Sequence, residues 1–219
     1  MPGEAISEDV AAEQLDRLPR GRHKLTREQV ESSQRERIMR AMAEAIAELG
    51  YVKTTVAEVL KRAGVSRETF YAQFSDKHEC FMAAFDRAAE EMIARMKVAF
   101  DEVTESGGSE EERISMMLTS FLELLAEEPG FARTYYVEVY AAGQEAIEHR
   151  VAIQAGVVDL MLGLLRAVDE EDRFTLQATM AAIGAIVTQL VSLGQTENAI
   201  YLQPQLLKFV MTTLRGIDA

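Results

Sequence analysis

The sequence predicts an all-α protein, and three observations carry that prediction. Only four prolines occur in 219 residues, at 2, 19, 129 and 204, so little interrupts long helical stretches. Apolar residues recur at three- and four-residue spacing in segment after segment, with no sustained strand-type alternation. Ser or Thr stands just ahead of several of these runs and Gly just after, which are helix start and stop signals.

Taken in order, Ile38, Met42, Ile46 and Leu49 share one helical face that stops at Gly50. Thr55 to Glu58 reads as a capping box opening a short helix with Val56, Val59 and Leu60 inward, ended by Gly64. Ser66 caps a second short helix whose Phe70 and Phe74 lie one turn apart on the buried side. Ser75 is expected to cap the next, with Asp76 favourable to its dipole. From there Phe81, Phe85, Ala88, Met92, Met96 and Phe100 form one stripe, too long for a small bundle, so this helix connects two domains. After the linker Glu105–Gly108, Ser109 to Glu112 is a second capping box. It opens a helix with Ile114, Met117, Leu118, Phe121, Leu122 and Leu125 inward, stopped at Pro129-Gly130. Helices follow over Phe131–Ala142, from about Ala146 to Val168, over Phe174–Leu193 after an acidic loop Asp169–Asp172, and from Pro204 to about Leu214. The expected division is a flexible extension over 1–26, a three-helix domain over 27–80 and a helical domain over 81–219.

Composition is globular, with 48% hydrophobic and 27% charged residues, and the formal net charge is −13. Cys80 is the single cysteine, so no internal disulfide or Cys-based metal cluster forms, and a reducing cytoplasmic setting is expected. Met1 to Arg20 is acidic and lacks the apolar segment of a signal peptide. The charge is unevenly laid out. Residues 1–16 carry five acids and no base; residues 17–78 carry 13 Lys/Arg against 8 Asp/Glu; the remainder is strongly acidic. With a Debye length of about 8 Å, a partner responds to its local block. That leaves a basic module of some sixty residues, a cue for nucleic acid.

Thr55 to Lys77 has the form of a helix-turn-helix: two short helices and a tight turn at Gly64-Val65, small enough for a major groove about 12 Å wide. With Phe70 and Phe74 inward, Arg67, Glu68, Thr69, Tyr71, Ala72 and Gln73 occupy the other faces. Arg67 has the donors to read guanine, Gln73 suits adenine and Glu68 cytosine. Thr55, Ser66, Tyr71 and Lys77 stand at helix ends, where hydroxyls and an ammonium reach phosphates. Upstream, Arg17, Arg20, Arg22 and Lys24 form a basic arm suited to an adjacent minor groove.

The run Gly50-Tyr51, Thr54-Thr55-Val56, Val59, Ala63-Gly64-Val65-Ser66, Thr69-Phe70-Tyr71, Phe74 and Lys77 resembles the N-terminal signature of the TetR family of bacterial repressors. The resemblance covers Ile38 to Phe85. It implies a homodimeric transcriptional regulator that binds a palindromic operator and is released when a small molecule re-spaces its DNA-binding domains. By position it assigns Thr55, Tyr71 and Lys77 to phosphates and Arg67, Glu68, Thr69 and Gln73 to base edges. Ala72 and Gln73 depart from the pattern, standing where many members place an aromatic and a His.

Effector contacts are expected from Met92, Met96, Phe100, Met117, Phe121, Tyr136 and Tyr140, with Tyr135 beside them and His149, Arg150 and Gln154 as polar partners. Apolar pockets with a few polar groups lie between bundle helices, and methionine adapts to ligand shape. The Ala178–Leu193 stretch is shorter than the roughly 20 residues a membrane span needs. It is expected in a subunit interface instead, with Phe174, Ala181, Ala185, Thr188, Leu206, Phe209 and Val210 forming a four-helix dimer contact. No Gly-rich phosphate loop, metal-spaced His pair or activated nucleophile appears, so neither catalysis nor a cofactor or metal is expected. The alternative function is a helical small-molecule-binding or scaffold protein without operator-specific DNA activity.

Overall fold

In the computed structural model, which describes residues 26–165 and 170–214, Thr26 opens the first helix, α1 (Arg27–Leu49). Its hydroxyl accepts from the Gln29 N–H at 3.2 Å, and the Gln29 side chain accepts from the Thr26 N–H at 2.9 Å. The helix thus begins well ahead of the apolar face that announced it. The basic arm, Arg17, Arg20, Arg22 and Lys24, lies outside the described residues.

Gly50 ends α1 at φ +76°, and Thr55 caps α2 (Val56–Ala63) through the Glu58 N–H. Gly64, left-handed at φ +62°, turns the chain into α3 (Arg67–Gln73), capped by Ser66. The next N-cap is Asp76, not Ser75 as expected. The Asp76 carboxylate accepts from the Glu79 N–H at 2.9 Å, while the Ser75 N–H donates to the Glu79 side chain. This opens α4 (Lys77–Glu105), 29 residues long, which packs both against α1 and against the helix that follows it. The Ser109–Glu112 capping box starts α5 (Glu110–Glu127) as expected.

The single helix expected over Phe131–Ala142 is three pieces. Pro129 opens α6 (Pro129–Arg133), the chain makes a π turn over Thr134–Glu138, and α7 (Val139–Ala142) follows. A Cβ on Gly130 would lie 3.1 Å from the Ala43 carbonyl oxygen, so α6 crosses α1 at a separation that favours glycine. Next come α8 (Gln144–Leu165) and α9 (Glu170–Ser192). Glu170, Glu171 and Asp172 belong to the first turn of α9 rather than to a loop, where acids complement the helix dipole. A 3-10 turn (Thr196–Leu202) that periodicity did not reveal leads into α10 (Gln203–Leu214). Among the described residues every regular element is helical.

One core runs the length of the molecule. Phe70 and Phe74 pack under α3, and Phe81 and Phe85 carry the aromatic row along α4. Phe85 stacks on Tyr135 at 4.8 Å, and Tyr135 meets Tyr136 edge-on at 5.0 Å. Burying each phenylalanine contributes about 1.5–3 kcal/mol, and all of them belong to one buried cluster.

Cys80 sits inside this row with no exposed surface, and burial pushes its thiol up to about 12. Burial therefore disfavours the thiolate at neutral pH, and the thiol packs as part of the core. Alkylation with iodoacetamide at pH 7.5 is expected to leave the native chain unmodified and to label it stoichiometrically in denaturant. Rapid labelling of native protein would contradict this burial.

Candidate nucleic-acid interface and ligand cavity

The outer face of α3 is built by subtraction. Phe70 turns inward without exposed surface, and Arg35 of α1 fastens the helix from behind. Its guanidinium donates to the Gln73 carbonyl at 2.9 Å and lies 4.3 Å from the centre of the Phe74 ring. Held this way, α3 presents Arg67, Glu68 and Ala72 to solvent, with Tyr71 47% exposed. Arg67, Glu68 and Tyr71 make no side-chain hydrogen bond or ion pair among the described residues. The Tyr71 ring stands edge-on to Phe70 at 5.4 Å, which fixes the direction of its hydroxyl.

The other predicted contact residues are engaged locally. Ser66 accepts from the Thr69 N–H at 3.0 Å, and the two hydroxyls bond to each other at 2.9 Å. Thr55 caps α2 while remaining exposed. The Gln73 amide donates to the Glu31 carbonyl at 3.5 Å, turned towards α1. Lys77 donates to the Tyr51 carbonyl at 2.9 Å and lies 4.1 Å from the centre of the Tyr51 ring; burial lowers its pKa.

In the C-terminal half, α4, α5, the π turn, α8, α9 and α10 enclose a cavity of about 350 Å³. Met92, Met96, Phe100, Met117, Phe121, Tyr135, Tyr136 and Gln154 line it, as the sequence led us to expect. Sequence reasoning missed Gln177 and Thr179 of α9, which supply further polar groups. The exposed lining residues Val151, Ala155, Gln177 and Ala181 sit on α8 and α9, so the mouth lies between these helices.

Tyr140 and His149 do not line this cavity, which corrects their assignment. The π turn inserts a residue ahead of Tyr140, rotating it outward to 55% exposure, where Arg150 donates to its hydroxyl. His149 faces Asp86 of α4 at 2.5 Å. Arg150 is buried behind the wall, its guanidinium 5.6 and 5.8 Å from the Tyr135 and Tyr136 ring centres. Burial raises the pKa of both tyrosines, so they act as neutral hydroxyls.

A second space of about 250 Å³ adjoins the first, sharing Met92, Tyr135 and Tyr136. The Tyr136 hydroxyl donates to the Met92 sulfur at 3.7 Å and forms the partition. Beyond it stand Arg87 and Arg95, already compensated. Arg87 pairs with Glu36 and Glu91, and Arg95 pairs with Glu91 and Glu127.

The predicted dimer face divides in two. Leu206 and Val210 are buried inside the protomer, because that side of α10 packs on its own core, and Val210 lines the cavity; neither is free for a partner. Phe174 is 71% exposed and Phe209 is 42% exposed, with Ala181 and Ala185 exposed and Thr188 half-buried on α9. Among the described residues α9 is also the one helix long and apolar enough to cross a membrane by length and composition.

An exposed short helix on a Gly turn is thus joined through one long helix to a cavity-bearing helical body. Residues 38–84 match the model of bacterial regulatory proteins of the tetR family. The resemblance read from Gly50 to Lys77 is borne out over this matched segment. The chain is similar to the fatty acid metabolism regulator protein of Bacillus subtilis (strain 168), 26% identical over 128 residues, covering 58% of this chain and 64% of that one. It is 23% identical to the HTH-type transcriptional activator FasR of Mycolicibacterium smegmatis, over 55% of this chain and 54% of that one. These matches therefore span less than two thirds of either relative. The fold is that of the transcriptional regulator FadR from Bacillus subtilis in its complex with stearoyl-CoA, at TM-score 0.66 and 23% identity, covering 79% of this chain and 95% of that one.

Proposed function

We propose that this chain is a ligand-responsive transcriptional regulator that binds a palindromic operator as a homodimer in the cytoplasm. In this reading residues 27–80 grip DNA, and residues 81–219 bind the effector and dimerise. The effector is a long-chain acyl thioester. The observation that carries this reading is the cavity: about 350 Å³, walled mainly by Met, Phe, Leu, Ile and Val, with few polar groups. Flexible methionines at 92, 96, 117, 161 and 180 conform to an unbranched chain better than to a rigid ring system. A relative named for fatty acid metabolism, and a similar fold solved with stearoyl-CoA, support the same ligand class.

The apolar outer faces of α9 and α10, Phe174, Ala185 and Phe209 among them, support the dimer. Such a face is stable in water when a second copy covers it. Release by ligand makes the chain a repressor, although the FasR relative is named an activator. The test uses the purified chain, DNA flanking its own gene, and stearoyl-, palmitoyl- and acetyl-CoA. Gel shifts are expected at nanomolar to micromolar protein, weakening steeply with salt. The long-chain thioesters are expected to release DNA, and acetyl-CoA is not. No shift at any salt would favour the ligand-binding or scaffold alternative, and equal action of acetyl-CoA would reject the acyl-chain reading.

A further inference from the structure

The π turn faces two ways. Its Tyr135 and Tyr136 form cavity wall, whereas Glu138, at its other end, is buried against the DNA-binding domain at 8% exposure. One carboxylate oxygen of Glu138 accepts from the Tyr51 backbone N–H at 2.8 Å. The other accepts from the Arg133 guanidinium, at 3.1 Å from Nε and 3.0 Å from a terminal nitrogen. Tyr51 lies in the turn between α1 and α2, and its other ties run to α4, where its hydroxyl meets the His78 ring at 3.3 Å. Its carbonyl accepts from Lys77, its ring packs edge-on against Phe81 at 4.9 Å, and Thr54 bonds back to the Gly50 carbonyl at 2.8 Å. A Cβ on Gly50 would meet the Glu138 carboxylate at 3.4 Å, so the two segments are in close apposition.

We infer that Glu138 is a positioning residue that transmits the state of the cavity to the recognition module. A chain entering the cavity displaces Tyr136; the π turn shifts as a unit; the Tyr51 N–H loses its acceptor, and the turn that aims α2 and α3 is released. The inference rests on the ligand-responsive reading above. A π turn suits this role because it holds one residue more than α geometry, and relaxing it rotates Glu138 by about 100° about the helix axis. The sequence also singles the residue out: Glu138 is the one charged residue between Thr134 and Ala142.

Glu138→Gln keeps the size but leaves one accepting oxygen for two donors. In the full chain it is expected to bind stearoyl-CoA within about twofold of the unaltered protein by calorimetry. Ligand-free DNA affinity should nevertheless fall at least fivefold, at the lower end of usual coupling factors, because Glu138→Gln loosens the Tyr51 turn as the ligand does. Ligand-free affinity equal to that of the unaltered protein would overturn the inference. A second arm needs neither ligand nor operator. Met117→Trp fills the cavity from α5, and it is expected to speed hydrogen exchange of the Tyr51 amide at least tenfold while leaving α5 amides protected. Unchanged Tyr51 exchange would overturn the coupling even if Glu138→Gln failed to fold. If the unaltered chain bound neither stearoyl-CoA nor DNA, the functional reading would fail, and this second arm would still decide the coupling.

Discussion

Phe70→Ala is expected to abolish DNA binding and to lower the thermal midpoint by about 6–20 °C. Phe70 has no exposed surface and touches both Phe74 and Tyr71, with ring centres 5.7 and 5.4 Å away. Truncating such a phenylalanine costs about 3–5 kcal/mol, a large share of the roughly 5–15 kcal/mol that holds a domain folded. In a chain of this size each kcal/mol moves the midpoint by about 2–4 °C. The seven residues of α3 cannot hold helical form alone, so loss of their anchor removes the reading surface. The cavity should outlast it, because none of its lining residues belongs to α3. Circular dichroism melts and calorimetry with stearoyl-CoA on the same sample check both halves. A midpoint within 2 °C of the parent, allowing for error of roughly that size in such melts, would mean that Phe70 does not hold the module together.

Arg67→Ala gives the opposite pattern: DNA affinity falls about 10- to 100-fold while stability stays within roughly 0.5 kcal/mol. Arg67 is exposed at the first position of α3 and makes no hydrogen bond or ion pair, so the folded chain loses nothing with it. A guanidinium placed there matches the two acceptors of guanine in the major groove. The variant should therefore relax sequence preference at one base pair of each half-site. Uniform weakening across all sequences, with the salt slope reduced by about one, would assign Arg67 to phosphate instead. Competition binding against a randomised half-site separates the two outcomes.

The helix-turn-helix was legible because its determinants are local. Thr55 and Ser66 cap by bonding an amide three residues on, and Gly50 and Gly64 end helices by adopting positive φ. Much of the cavity was legible too, since an apolar stripe such as Met92, Met96 and Phe100 must face some interior. The π turn was not. One extra residue within five leaves no periodic trace, so helix phase was carried straight through it and placed Tyr140 inward. The two faces of α10 were confused for a related reason. Periodicity separates Leu206 and Val210 from Phe209, yet gives no clue as to which side meets the chain's own core. Glu138 carried a signal, a lone charge in an aromatic run, but its partner is a backbone amide 87 positions away that no side-chain pattern announces.

The sharing of α4 between the domains has a mechanical side. Its 29 residues span about 43 Å, so a tilt of roughly 10° about the far end carries its first turn sideways by about 7 Å. Half-sites on a palindrome recur every 34–36 Å or so, one helical repeat of DNA. In a dimer with two such arms, an angular change too slight to disturb the packing around the cavity would throw both reading heads out of step with the groove. On the proposed reading the long helix would act as a displacement amplifier, its gain set by its length.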